Sequence, residues 1–328
     1  MKYLGNKNRL YDFLNLTMKL DDRKNQKALD LFSGTGAVSL LFKKRGINTA
    51  SNDFLTFSCH RTRSILLDVA PPAQEFLQNQ KTNGFITKNY SESSGVNIFK
   101  TEIAMHIDGA RTRLQASRSQ YTPEEFSYYL AQIIEAADFR SNIMGSYESY
   151  YKAGWRKQCE RPWALTQFEL LNNNGQTNHV VYNKHASELL DESLESYDFV
   201  YLDPPYNSRQ YSSVFHVLET ISKYDDPEVS GVVRKSVNAK DKKSNFSSKR
   251  NCFNEMKSII NKCAERTNEI FISYSNEGIL SPCDIELLLS GPFCKIETHE
   301  YDYRRFKTNS RKHNRNNKVK EYLFHGIK

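Results

Sequence analysis

Short apolar runs alternate along this chain with amphipathic stretches, and the spacing predicts alternating strands and helices. Lys27 to Phe32 reads as a strand, Ser33 to Gly36 as a tight turn, and Ala37 to Lys44 as a helix stopped by Gly46. Asn48 to Asn52 is a second strand, ending in Asp53, and a helix of about Phe57 to Val69 follows before Pro71-Pro72 breaks the rhythm. The alternation resumes after the turn-rich stretch 172–178, with strand His179 to Tyr182, helix Ala186 to about Glu195 and strand Asp198 to Leu202. Tyr211 to Tyr224 has helical periodicity, and Cys252 to Arg266 reads as a helix leading into strand Glu269 to Ser273. Two strand-like segments, about Phe293 to Tyr303 and Val319 to Ile327, end the sequence as a hairpin would.

Between the two breaks the pattern is helical. Thr122-Pro123-Glu124-Glu125 is a capping box with proline at the first helical position, and Phe126, Leu130, Ile133 and Ala137 follow at core-facing spacing. This divides the chain into a discontinuous α/β domain, residues 1–70 and 177–328, and a mainly helical insert, residues 71–176. The insert also carries Arg111-Thr112-Arg113 and the aromatic run Tyr147 to Tyr151, which suit either packing or a nucleic-acid groove.

Composition narrows the class. With 328 residues, 38% hydrophobic and 26% charged, the chain reads as soluble and globular, and no apolar run is long enough for a membrane span. Met1 to Lys7 lacks the apolar core of a signal peptide, so the expected location is the cytoplasm, away from any membrane. Six cysteines lie scattered without a Cys-x-x-Cys pair, which argues against a zinc knuckle and a disulfide framework; reduced, partly buried thiols are expected.

The net charge of +8 favours a polyanionic partner. It is concentrated in two runs, Arg234 to Arg250 and Arg304 to Lys320, the second holding eight basic residues and no acidic one. Such runs suit a solvated loop or a phosphate-binding one, depending on where they sit.

The strongest chemical signal is Asp203-Pro204-Pro205-Tyr206. Two prolines end the preceding strand and fix the backbone, so the Asp203 carboxylate, the Pro204 carbonyl and the Tyr206 ring become one stiff bend at a strand's C-terminal edge. Ligands of open α/β sheets bind at that edge. A carboxylate beside a fixed carbonyl can accept both hydrogens of an exocyclic amine while the ring stacks on its heterocycle, so the implied substrate is an amino-substituted base. The Ser33-Gly34-Thr35-Gly36 turn lets backbone amides approach a ligand but lacks the third glycine of the dinucleotide fingerprint. Asp53, 23 residues after Asp30, is placed to accept from a ribose. In the turn after the third strand, Asn183 and His185 suit an adenine contact or a helix cap.

Taken in order, Tyr3-Leu4-Gly5-Asn6-Lys7, Asp30 to Gly36, Asn52-Asp53 and Asp203 to Tyr206 resemble the motifs of the α-class DNA adenine-N6 methyltransferases, Dam-like enzymes of the type II restriction-modification kind. The resemblance runs from end to end of the chain. It implies a Rossmann-like, S-adenosylmethionine-dependent methyltransferase fold, a seven-stranded mixed sheet ending in an antiparallel hairpin, with 71–176 as the target-recognition insert. It implies S-adenosyl-L-methionine as cofactor, held by Tyr3, Gly5, Lys7, Asp30, Phe32, Ser33, Gly34, Thr35, Gly36, Asp53 and Asp203, with Lys7 meeting the methionine carboxylate. It further implies Asp203, Pro204, Pro205 and Tyr206 as the catalytic group, a flipped adenine of double-stranded DNA as substrate, no metal in the reaction, and functional pairing with a restriction endonuclease. One departure is that the family often has an acidic residue in the turn occupied by Asn183 to His185. The hairpin would project its loop from the active-site edge, so Arg304, Arg305, Lys307, Arg311, Lys312 and Arg315 are expected to meet DNA phosphates. Alternatives are the amine of cytosine, an RNA adenine methyltransferase, and a non-catalytic DNA-binding protein on the same scaffold.

Overall fold

The computed structural model describes residues 7–67, 75–165, 168, 178–237, 243–304 and 318–328. Its strands are β1 Lys27–Asp30, β2 Asn48–Asn52, β3 His179–Tyr182, β4 Phe199–Leu202, β5 Val229–Ser230, β6 Lys235–Ser236, β7 Glu269–Ser275, β8 Lys295–Arg304 and β9 Lys318–Ile327. Seven of them form one sheet in the order β3-β2-β1-β4-β7-β9-β8, while β5 and β6 pair separately. Strands β3 to β7 of that order are parallel; β9 runs antiparallel to both β7 and β8. The expected seven-stranded mixed sheet with a terminal hairpin is therefore the fold observed, an open Rossmann-like arrangement.

The helices are α1 Tyr11–Thr17, α2 Ala37–Lys44, α3 Thr56–Leu66, α4 Glu75–Gln78, α5 Phe85–Tyr90, α6 Thr101–Ala116, α7 Pro123–Phe139, α8 Ala186–Glu192, α9 Tyr211–Val214, α10 His216–Lys223, α11 Cys252–Ala264 and α12 Pro282–Leu289. No described helix is long and apolar enough to cross a membrane.

All four residues of β4 are buried because both faces of the sheet are covered. Phe199 and Tyr201 pack with Leu14 of α1, Met18 just after it and Phe42 of α2 on one face, while Val200 and Leu202 pack with Leu189, Met256 and Ile285 of α8, α11 and α12 on the other. Phe42 meets Phe199 edge-on at 5.3 Å, and truncating so buried a ring costs ~3–5 kcal/mol. Chain direction across the sheet reverses between β1 and β4, since β2 and β3 lie beyond one and β7 beyond the other. That switch point opens a crevice at the strands' carboxyl ends.

Helices α6 and α7 bury Ile107, Leu130, Ile133 and Ile134 against Leu55, Phe57 and Phe215, so the insert shares one apolar core with α3, α9 and α10. The capping box at Thr122 and Glu125 forms as expected, and Phe126, Leu130, Ile133 and Ala137 are buried. One expectation differs. The periodic stretch Tyr211 to Tyr224 is two helices, because the Val214 carbonyl accepts from the Tyr147 amide at 3.0 Å. Of the two roles open to the Arg111 segment, packing is the one Arg111 takes. It is 2% exposed and donates from Nε to the Ile221 carbonyl at 2.6 Å and from Nη2 to the Ser222 carbonyl at 3.3 Å, satisfying the C-terminal end of α10. Tyr147 is likewise buried, its hydroxyl 3.1 Å from Asp138 Oδ1.

Candidate active site

The glycine turn after β1 is held from below. Ser33 N donates to the Asn52 carbonyl and Gly36 N to the Ser33 carbonyl, both at 2.8 Å. Gly34 and Gly36 have φ of +51° and +76°, a region that suits glycine. At Gly36 a Cβ would also lie 2.8 Å from Thr62 Oγ1 and Ile65 Cδ1. The turn thus packs directly onto α3, and Gly36 sits behind it as the residue that starts α2.

Asp53 closes the turn from the side. Its Oδ2 accepts from Gly34 N at 2.9 Å and its Oδ1 from Leu55 N at 2.8 Å, so each oxygen already has an amide and offers its remaining lone pair. Burial pushes its pKa up to about 7, against those hydrogen bonds. Asp30 is pushed up to about 7 as well, by burial, with the Ser39 hydrogen bond opposing and Asp203 and Asp53 adding to the rise. Ser39 Oγ donates to Asp30 Oδ2 at 2.5 Å; Asp30 Oδ1 and Ser33 Oγ are buried without a hydrogen-bond partner.

Asn52 ties three strand ends together, donating to the carbonyls of Leu31 and Lys184 and accepting from Lys184 N at 3.1 Å. Asn183 donates to the Asp53 carbonyl at 2.9 Å, a positioning contact. His185 precedes α8, and its ring stacks on Phe54 with centroids 5.7 Å apart.

At the end of β4, the Tyr206 carbonyl accepts from Ile279 N at 2.8 Å, and its ring meets Tyr274 edge-on at 6.2 Å. The bend is thereby anchored to the segment after β7. Lys7 Nζ lies 3.0 Å from Asp203 Oδ1 and 2.5 Å from Glu321 Oε1, and Ser273 Oγ donates to the same Glu321 oxygen at 2.8 Å. Burial raises the Asp203 pKa to about 6; Lys7 holds it down and Glu321 pushes it up. Burial alone would depress Lys7, but Asp203 and Glu321 outweigh it and keep the ammonium well above its ordinary range.

These elements enclose one cavity of about 230 Å³. Lys7, Asp30, Phe32, Ser33, Gly34, Thr35 and Asp53 line it together with Asp203, Pro204, Pro205 and Tyr206. The structure so gathers sequence positions from three strand ends and the N-terminal segment. Tyr3 and Gly5 lie outside the described residues, as do Arg305, Lys307, Arg311, Lys312 and Arg315; Arg304 is described only as the end of β8.

Several lining residues were not expected. Lys243, Ser244, Asn245 and Phe246 belong to the first basic run, Arg234 to Arg250, and form one wall, with Glu255 behind Asn245 at 3.1 Å. Gln210 fixes this wall by accepting from Ser244 N at 2.8 Å and donating to the Ser244 carbonyl at 3.2 Å. Phe246 is buried and meets Phe32 edge-on at 5.2 Å. The only hint in sequence was an isolated aromatic inside a Ser- and Lys-rich loop. Lys184 and Phe54 are further unforeseen wall residues, beside His185.

Two buried acceptors without partners, several acidic groups and flanking aromatic rings fit a ligand with a cationic polar end and a flat heterocyclic end. S-adenosylmethionine has both.

Comparison with known proteins agrees. Residues 3–285 match the sequence profile of D12 class N6 adenine-specific DNA methyltransferase. The chain is 29% identical over 336 residues to modification methylase LlaI of Lactococcus lactis subsp. lactis, covering 94% of this chain and 52% of that protein. It is 33% identical over 353 residues to type II methyltransferase M.FokI of Planomicrobium okeanokoites, covering 99% and 52%. It is 29% identical over 341 residues to type II methyltransferase M.NlaIII of Neisseria lactamica, covering 98% of each. The chain spans about half the length of the first two relatives and nearly all of the third.

Proposed function

The chain belongs to the D12 class N6 adenine-specific DNA methyltransferase family, and from that premise we propose that it methylates the exocyclic amine of a flipped adenine in double-stranded DNA, as the cytoplasmic modification enzyme paired with a restriction endonuclease. The observation that carries this reading is the convergence on one cavity of the glycine turn, Asp53 and the Asp203–Tyr206 bend.

S-adenosylmethionine, when bound, supplies a methyl group activated by its sulfonium. Asp30, Ser33, Gly34, Thr35 and Asp53 would hold it, with Phe32 and Phe54 as apolar walls; Tyr3, Gly5 and Gly36 are carried over from the family resemblance. Lys7 already meets Asp203 and Glu321, so the exposed Lys243, which also lines the cavity, is a further cation for a carboxylate.

Asp203 does the chemistry's acceptor work. With a pKa of about 6 it is mostly ionised at neutral pH, and a carboxylate only accepts. Together with the Pro204 carbonyl it takes both hydrogens of the amine, which concentrates electron density on the nitrogen. Pro205 keeps that carbonyl fixed, and Tyr206, anchored through Ile279 and Tyr274, stacks on the extruded base, whose unstacking costs a few kcal/mol. Holding the nitrogen in place makes the transfer effectively unimolecular. The amine's surplus proton passes to Asp203 or to water.

Register supports a role for the basic segment. Glu321 of β9 pairs with Ser275, the last residue of β7, so Arg304 and Lys318 lie beyond the carboxyl edge of the parallel strands. We assign Arg304, Arg305, Lys307, Arg311, Lys312 and Arg315 to DNA phosphates. Single-turnover methyl transfer by Asp203→Ala tests the mechanism. The variant should melt like the wild type and bind DNA but transfer no methyl group; turnover within 10-fold of wild type by a folded variant would remove Asp203 from the chemistry.

A further inference from the structure

Away from the cavity, on the sheet face that carries α1, side chains from three strands converge. Glu297 and His325 are paired across β8 and β9, and His299 lies two residues along β8 on the same face. One ligand atom from each comes within 4.8 Å of the others. Glu297 Oε2 lies 3.5 Å from His325 Nδ1 and 3.8 Å from His299 Nε2. Lys295 Nζ occupies the other Glu297 oxygen at 2.6 Å, which leaves Oε2 facing the two rings.

Behind this group stands Glu269, the first residue of β7. Arg23 grips both of its oxygens, at 2.7 and 2.6 Å, so it is an ionised acceptor. His325 Nε2 lies 2.7 Å from Glu269 Oε1. Nε2 therefore carries the hydrogen, and in the neutral ring Nδ1 turns its lone pair toward Glu297 and His299. His299 Nε2 is screened from solvent and has no hydrogen-bond partner.

The geometry points to a binding site for a divalent transition ion, with Zn²⁺ the best match, held by Glu297 Oε2, His299 Nε2 and His325 Nδ1 and backed by Glu269. Two imidazole nitrogens and a carboxylate suit zinc rather than Mg²⁺ or Ca²⁺, which prefer oxygen throughout. A carboxylate orienting a ligating histidine through its other nitrogen is the usual outer arrangement of such sites. Ligands ~2.0–2.1 Å from a tetrahedral ion stand ~3.3 Å from one another, so the trio closes by rotation of the partly exposed His299 and Glu297 side chains. The ion takes no part in methyl transfer; it pins the edge strand β8 to β9 and, through Glu269, to β7.

The test uses the full, tag-free chain stripped with chelator and titrated with Zn²⁺ by calorimetry, and with Co²⁺ by visible absorption. Wild type should bind one Zn²⁺ with a Kd of ~10 μM or tighter, and Co²⁺ should show the ligand-field bands of a four-coordinate, histidine-bound ion. His299→Ala and Glu297→Gln change partly exposed side chains, so their melts should stay near wild type while affinity falls at least 10-fold. Glu269→Gln should weaken binding ~10–100-fold by freeing the His325 ring. No uptake by wild type, equal binding by His299→Ala, or displacement by equimolar Mg²⁺ would each overturn the site.

Discussion

Replacing Lys7 by methionine should move the acid side of the activity profile upward. Lys7 stands 3.0 Å from Asp203 and 2.5 Å from Glu321, with all three side chains largely buried. At 3.0 Å and an effective dielectric of ~20, two unit charges attract by ~5.5 kcal/mol, equivalent to ~4 pKa units. Relaxation and water entry discount this heavily, and even a quarter of it raises Asp203 by ~1 unit from its value of about 6. Lys7 is what holds Asp203 down, and without it Glu321 pushes the carboxyl further up. The ionised share of Asp203 at pH 7 then falls from ~90% to ~50%. Methionine keeps the apolar stem, although loss of the buried charge will cost stability, on the order of 3–5 kcal/mol. The assay is single-turnover methyl transfer from pH 5 to 9 at saturating cofactor and DNA, run on protein shown by its melt to be folded. Wild type should lose rate below about pH 6, Lys7→Met at least ~1 unit higher, and Lys7→Arg near the wild-type position. An unmoved or downward-moved acid limb in folded Lys7→Met would mean that Lys7 does not hold Asp203 ionised.

Other consequences can be checked separately. Gly36→Ala places a side chain at φ +76° against Thr62 and Ile65, so it should destabilise by ~2 kcal/mol or more and weaken cofactor binding; an unchanged denaturation midpoint would contradict this. Asp30 has a folded pKa of about 7, above its unfolded value, so the folded state keeps a proton that the unfolded chain releases, and this group's contribution to stability is lost as pH rises from about 4 to about 7. The melting temperature of Asp30→Asn relative to wild type should therefore climb across that window, by an amount on the order of 3–4 kcal/mol in stability, and a constant difference would argue against it. Neutralising Arg304, Arg305, Lys307, Arg311, Lys312 and Arg315 should flatten the dependence of log Kd for DNA on log salt by ~0.9 for each phosphate that no longer meets a cation; an unchanged slope removes the segment from the interface.

The parts of this molecule that repeat a simple period were legible. Strands β1, β2 and β4 with their turns, the capping box of α7 and the terminal hairpin all follow from apolar spacing and from Gly or Pro punctuation. What escaped has polar residues on buried faces. Helix α6 buries Asp108, which accepts from Gly84 N, Ile86 N and Thr87 N at the start of α5, and Arg111, which caps α10. Those groups erase the apolar stripe that would announce a helix. Likewise Glu321, buried in β9 and bonded to Lys7, looks in sequence like an ordinary surface acid beside a basic run. The wall at Ser244 to Phe246 depends on the Gln210 side chain imitating a strand partner, a contact across 34 residues that no local pattern reveals. Helix α12 did carry a signal, Ser281-Pro282 with Asp284, whose capping box forms.

The most direct measurement is nucleoside mass spectrometry after incubating the purified chain with labelled S-adenosylmethionine and unmethylated duplex DNA, with total RNA in parallel. The expected result is labelled N6-methyladenine in the DNA, absent with Asp203→Ala, at a single short sequence context. Label confined to RNA, label on cytosine, or no label from a chain that still binds DNA would contradict the assignment of this cavity to a flipped DNA adenine.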